Sequence, residues 1–368
     1  MFISIVLMAQ NVMSIHYKNG NNLNVPISKI DSVTLVDFSE IEENAVWNTS
    51  TEALVKTRII MPKVDFKARA EFRVLAIGNS FLYDATAYLP DFIKAANIDV
   101  SDLAIMKLAR GGGSFKTFYD SWHNNDNRND IIGCHYTTSR IAGKLSCPII
   151  GESNYEKMHN MIEINKFDLI MIQNLCQDYE YTSWSKHGDD GYLTEMLRIL
   201  RFYQPQAAIG YMMPHASHAK DNDTKRLWER LTKCARFLMS EYGIDFVIPV
   251  ATAIENLRVS SLNNASIKRG FSRDDHHIGY GLGRYVEAAV YFQSLIAPRY
   301  GISVYGNSYI HPITPSEQQA SDYKYPDECV DVTSANARLA QMCAVLACDD
   351  MFTITGPDGI IETIISSK

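Results

Sequence analysis

Five short apolar runs, each followed by a helical pattern, constrain this chain more than any other feature. They are "FRVLAIG" at residues 72–78, "LAIMKLARGGG" at 103–113, "FDLIMIQN" at 167–174, "AAIGYMMP" at 207–214 and "IDFVIPV" at 244–250. Each is too short and too uniformly apolar to be an amphipathic helix, and reads as a buried strand. Between them lie helical patterns such as "TAYLPDFIKAAN", "YLTEMLRILRFY" and "TKRLWERLTKCARFLMSEY". Strands that alternate with helices cannot pair as hairpins, so they predict a parallel sheet covered on both faces. The expected fold is therefore α/β, a three-layer α/β/α arrangement with a central parallel sheet. Ligands of such sheets bind beyond the carboxyl ends of the strands.

Upstream the pattern changes. Met13, Ile15 and Tyr17 alternate with polar or small residues, Asn19-Gly20 is a hairpin signal, and Leu23, Val25 and Ile27 alternate on the return. With "ISKIDSVTLVD" behind it, this predicts a small β module over about residues 11–38. The chain then divides into residues 1–10, residues 11–65 (β module and linker) and residues 66–368, the main domain with a C-terminal helical extension around "SANARLAQMCAVLA". The opening "MFISIVLMAQ" resembles the apolar part of an export signal ending at Ala9, although no Lys or Arg precedes Lys18. It implies a secreted, periplasmic or cell-surface protein.

Composition narrows the partners. The net charge is −7 with no basic stripe, which argues against nucleic acid. No stretch is long enough to cross a membrane as a helix. The seven cysteines are scattered without metal-ligand spacing, so no metal or cofactor is expected. Cys134 and Cys147 flank one segment and could pair in an oxidising compartment. Oligomeric state is not legible.

Candidate chemistry gathers at the predicted strand ends. Ser80 follows the first strand at "IGNSF", where a side chain faces the crevice and a backbone N–H lies at a helix start; Asn79 or Ser80 could equally just cap that helix. A serine needs a base and the base an orienting group. "SRDDHHIGYGLGRY" supplies both, with Asp274 and His277 three apart and Asp275 and His276 as competitors. Gly111 to Gly113 could present backbone N–H groups to a ligand. Gln173, Asn174 and Gln177 could each donate an amide hydrogen to an oxyanion. Asn79, Arg110 and His215 are candidates for substrate binding, Arg110 for an acidic group and His215 from the loop after the fourth strand.

Taken in order, a serine corner, a glycine turn, an amide turn and a late Asp-x-x-His resemble the four blocks of the SGNH (GDSL-like) hydrolases, over about residues 72–297. Within that superfamily the chain is most similar to an uncharacterised bacterial group with an "IGNSF" start and an "RDxxHxxYGLGRY"-like end. The resemblance selects Asp274 and His277 over their neighbours. It implies a flavodoxin-like sheet, a Ser80–His277–Asp274 triad, and an oxyanion hole from the N–H groups of Ser80 and Gly112 plus one of the three amides. It implies an esterase that removes O-acyl groups, such as acetyl, from a carbohydrate or another small-molecule ester. Asn79 stands where the superfamily usually has aspartate, and the third block lacks the GxND form. An inactive glycan-binding module on the same scaffold, or a lipid or aryl esterase, are the alternatives.

Overall fold

The computed structural model describes residues 5–8, 12–16, 22–26, 72–98, 103–124, 158–159, 162–163, 166–174, 191–217, 224–358 and 360. Near the N-terminus, strands β1 (Ile5–Met8), β2 (Val12–His16) and β3 (Asn22–Pro26) form an antiparallel sheet in the order β1-β2-β3. Met13 pairs with Val25 and Ile15 with Leu23, the hairpin register that the alternation predicts. The strand expected in "ISKIDSVTLVD" lies outside the described residues. Ile5–Met8, from the export-signal-like opening, pairs with β2.

The five apolar runs do become strands: β4 (Phe72–Gly78), β5 (Leu103–Ala109), β6 (Leu169–Ile172), β7 (Ala208–Met212) and β8 (Phe246–Ile248). All pair in parallel, in the order β5-β4-β6-β7-β8. The chain therefore starts in β4, steps outward to β5, and returns to β6 on the other side. That reversal opens a crevice beyond the carboxyl end of β4, the place where such sheets bind ligands.

The three layers follow from the pleat. Successive side chains of β4 point to opposite faces. Val74 and Ala76 enter a core with α1 (Ser80–Thr86), α2 (Leu89–Ala95), α6 (Val250–Arg258), α7 (Leu282–Tyr291) and α8 (Ala337–Asp349). Leu75 and Ile77 enter the other, with α3 (Phe115–Asn124), α4 (Tyr192–Tyr203) and α5 (Thr224–Glu241). With both faces covered, the strands gain nothing from alternating polar residues, which is why they read as continuous apolar runs. The C-terminal helix expected from "SANARLAQMCAVLA" is α8, packed against α6 and α7. No described helix is long and apolar enough to cross a membrane.

Candidate active site

Asn79 shapes the corner after β4. Its extended backbone makes it the N-cap of α1, and its side-chain oxygen accepts the Phe81 N–H at 3.1 Å. Its amide nitrogen donates to the Gly113 carbonyl at 2.9 Å, and its own N–H donates to Gln173 Oε1 at 2.8 Å. With every polar group committed inward and no exposed surface, Asn79 is not a substrate ligand as expected. It ties the serine corner to the glycine turn and to the turn after β6. Gly78 serves the same packing, since a Cβ there would come within 2.5 Å of Gln173 Oε1. Capping and presentation therefore belong to different residues: Asn79 caps, and Ser80, the first residue of α1, presents its hydroxyl to His277.

Ser80 Oγ lies 2.8 Å from His277 Nε2, and His277 Nδ1 lies 2.7 Å from Asp274 Oδ2. Asp274 Oδ1 accepts the backbone N–H groups of His276 and His277 at 2.6 and 2.7 Å. One carboxylate thus closes its own turn with one oxygen and orients the imidazole with the other. Asp275 accepts from the Tyr325 hydroxyl instead, at 2.8 Å, and is not part of the triad. Burial by itself would raise the Asp274 pKa, but the hydrogen bonds from His277 and the turn outweigh it and hold the carboxyl far below its usual range. Burial would lower the His277 pKa; the Asp274 hydrogen bond and the Asp84 charge outweigh that and raise it above 6.5.

The oxyanion candidates separate once their hydrogen bonds are counted. Gln173 is buried, its Oε1 accepts from Asn79 and its Nε2 donates to the Asn174 carbonyl. Its oxygen and one of its two amide hydrogens are thereby committed to neighbouring backbone, a structural task in place of the expected oxyanion role. Asn174 Oδ1 accepts the Phe115 N–H at 3.1 Å, which fixes the amide orientation and leaves Nδ2 without a partner among the described residues. Gln177 lies outside the described residues. The Ser80 N–H opens α1 and has no acceptor among the described residues. Gly112 sits exposed in the turn after β5 at φ +66°, a left-handed conformation that glycine adopts without strain. Arg110 is partly exposed beside it, and its backbone N–H closes onto Gly78.

His215 is not at the crevice surface, a third correction. It has no exposed surface and pairs through Nδ1 with Glu287 Oε1 at 2.7 Å, while Nε2 reaches the His276 carbonyl at 2.9 Å. Burial raises the Glu287 pKa.

Sequence reasoning missed the ion network behind the triad. Asp84, one helical turn beyond Ser80, is buried between Arg273 Nη1 at 2.9 Å and Arg284 Nη2 at 2.7 Å. Burial would raise its pKa, but the two guanidinium groups pull it down to about 2. Arg273 also holds Asp322 at 2.7 Å through Nε, and the other Asp322 oxygen accepts from the Tyr280 hydroxyl at 2.7 Å. "RDDHH" places Arg273 beside Asp274, but nothing in the local spacing names its partner 189 residues away. One metal-ligand-type atom from each of Asp274, His277 and Asp322 lies within 4.8 Å of the others. Both His277 nitrogens and both Asp322 oxygens are already engaged in hydrogen bonds, so the group fits a proton-transfer site better than a metal site.

A family model described as a domain of unknown function, DUF4886, matches residues 212–322. That segment holds Asp274, His277, His215, Glu287 and Asp322 but not Ser80. The fold is similar to the 1.50 Å crystal structure of a DUF4886 family protein from Bacteroides uniformis ATCC 8492. The TM-score is 0.56 and the identity 20%, over 77% of this chain and 97% of that one. This likeness supports the three-layer α/β fold alone. A comparison with curated proteins found no match.

Proposed function

We propose that the protein is a serine hydrolase of carboxylic esters. The observation that carries this reading is the continuous Ser80–His277–Asp274 relay, 2.8 and 2.7 Å at its two links, at the mouth of the sheet's crevice. A weak nucleophile, a histidine base and a carboxylate that stays ionised and holds it are what acyl transfer through an acyl-enzyme needs.

In the first half-reaction Ser80 Oγ attacks the acyl carbonyl while His277 Nε2 takes the hydroxyl proton. Asp274 keeps the other proton on Nδ1, so that Nε2 is the free base, and stabilises the imidazolium that forms. The N–H groups of Ser80 and Gly112 and the Asn174 Nδ2 are the donors available for the oxyanion. As the tetrahedral species collapses, the ester C–O bond breaks and His277 gives its proton to the leaving alcohol oxygen. In the second half-reaction water adds to the acyl-enzyme, its proton passes to His277 and then to Ser80, and the carboxylic acid leaves.

An O-acylated carbohydrate is the substrate class we favour, with acetyl the simplest acyl group. Support for it comes from the resemblance to SGNH hydrolases and from no single residue. The test is hydrolysis of p-nitrophenyl acetate and of acetylated glycans by wild type, Ser80→Ala and His277→Ala, with folding followed by circular dichroism. Activity in wild type and its loss in both folded variants is the expected result. No activity together with no fluorophosphonate labelling of Ser80 overturns the reading in favour of a binding module.

A further inference from the structure

His215 and Glu287 have no exposed surface at all, and neither touches the reacting atoms. They come from different elements, His215 from the loop after β7 and Glu287 from α7. What His215 meets on its far side is the peptide bond joining His276 to the catalytic His277. The carbonyl of that peptide is held by His215 Nε2 at 2.9 Å, and its N–H by Asp274 Oδ1 at 2.7 Å. The plane of the peptide that carries the catalytic imidazole is therefore fixed from both edges.

The proton count makes the arrangement directional. A carbonyl only accepts, so His215 Nε2 must carry a hydrogen. Nδ1 then shares one further proton with Glu287, as carboxylic acid to imidazole or as carboxylate to imidazolium. Either way the pair is neutral as a unit and keeps Nε2 a donor. Glu287 Oε2 has no partner among the described residues, and burial raises the Glu287 pKa, both of which suit the protonated acid. Phe81, next to the nucleophile, packs its ring edge-on against His215 at 4.7 Å and tilted against His277 at 5.6 Å. The pair is thus wedged between the serine helix and the histidine loop.

We infer that Glu287 and His215 form a second, buried acid–histidine pair that positions the triad by clamping the His276–His277 peptide. This rests on the hydrolase reading of the triad. The two are positioning residues: Glu287 sets the His215 tautomer, and His215 sets the backbone from which His277 reaches Ser80.

Two substitutions at one position separate this role from simple packing. Asparagine places its amide where Nδ1 lies, so His215→Asn keeps a partner for Glu287 and cuts the bond to the carbonyl. Glutamine places its amide where Nε2 lies, so His215→Gln keeps the carbonyl bond and gives up Glu287. Each variant removes one bond of two, so a merely structural role affects both alike. With p-nitrophenyl acetate, His215→Asn is expected to lower kcat about 10²-fold with KM within about twofold, as for a misplaced catalytic group, and His215→Gln to retain most of kcat. If His215→Asn does not fold, Glu287→Leu against Glu287→Gln asks the same question, with the glutamine variant restoring the activity that the leucine variant loses. The downfield proton NMR signal of the Asp274–His277 hydrogen bond is read on the same proteins. It should broaden or vanish in His215→Asn and persist in His215→Gln, whether or not an ester is turned over. That result with an inactive wild type keeps the clamp and removes the hydrolase. Equal kcat and an unchanged signal in both variants overturn the clamp.

Discussion

At the scale of single residues, the two nitrogens of His277 set the pH behaviour. Its pKa is raised above 6.5 by Asp274 and Asp84, and on the hydrolase reading it must be neutral to accept the Ser80 proton. The acid limb of kcat/KM should therefore rise with pH through a midpoint above 6.5, and a pH–rate profile checks it. The same shift has the opposite sign for stability: the charged His277 favours the fold below 6.5, and that contribution fades as pH climbs through the raised pKa. The amide turn gives a second prediction. Asn174→Ala should lower kcat by about 10²–10³ through the lost oxyanion donor. Gln173→Ala should act mainly on stability, because it strands the buried Asn79 N–H, at a cost of about 1–3 kcal/mol. Chemical denaturation and steady-state kinetics on both variants separate the two. Ser80, Asp274 and His277 stand out as candidates by position, a serine at a strand end and an acid and a base three residues apart, but the choice over Asp275 and His276 comes from the resemblance to the SGNH hydrolases and not from local spacing. The roles of Gln173 and His215 are not legible, because an amide or an imidazole after a strand looks alike in sequence whether it faces the crevice or the core. What decides is the partner, and Asn79 lies 94 residues from Gln173 and Glu287 72 from His215.

At the scale of elements, the site is held together by α1 and the triad loop, joined through Asp84. This carboxylate takes Arg273 from the loop and Arg284 from α7, and Arg273 passes the connection on to Asp322. Asp84→Asn leaves two largely buried guanidinium groups short of a counter-charge, and should cost about 3–5 kcal/mol, read from the urea midpoint. Because its pKa is depressed from 3.8 to about 2, Asp84 contributes stability that is complete above 3.8 and is lost as pH falls through 2. The wild type should thus owe part of its acid resistance to this residue, and the variant should unfold at a higher pH in an acid titration. Asn79→Ala removes both the cap and the bond to the glycine turn. The cap alone is worth about 1 kcal/mol. The strands themselves were easy to predict, since burial on both faces writes an apolar run into any sequence. The segment 315–325 was not. It packs on the triad loop through the Lys324 and Tyr325 N–H groups, both donating to the Arg273 carbonyl at 3.0 Å, and through Asp322 on Arg273 and Tyr325 on Asp275; backbone bonds leave no signature in side-chain pattern, and these side-chain partners lie about 50 residues apart.

At the scale of the whole molecule, α8 closes the layer that carries the site. Its Gln341 donates to the Tyr285 hydroxyl on α7 at 2.8 Å, and Cys343 and Ala344 are fully buried in the core shared with α6 and α7. Ending the chain before Ala337 should expose that core and abolish the cooperative thermal transition seen by calorimetry, although every triad residue would still be present. The proposed catalytic partners, and the ion pair behind them, are also far apart along the chain. Ser80 and His277 are separated by 197 residues, and Asp84 and Arg284 by 200. Contacts of such long range form slowly and late. During synthesis Ser80 emerges long before His277, so on the hydrolase reading an emerging chain holds a hydroxyl with no means of activation. Catalytic competence should arrive as the last event of maturation, after β4 to β8 have assembled and the histidine loop has docked. In a refolding experiment the return of turnover would lag behind the return of helical signal, and the length of that lag would time the closing of the loop.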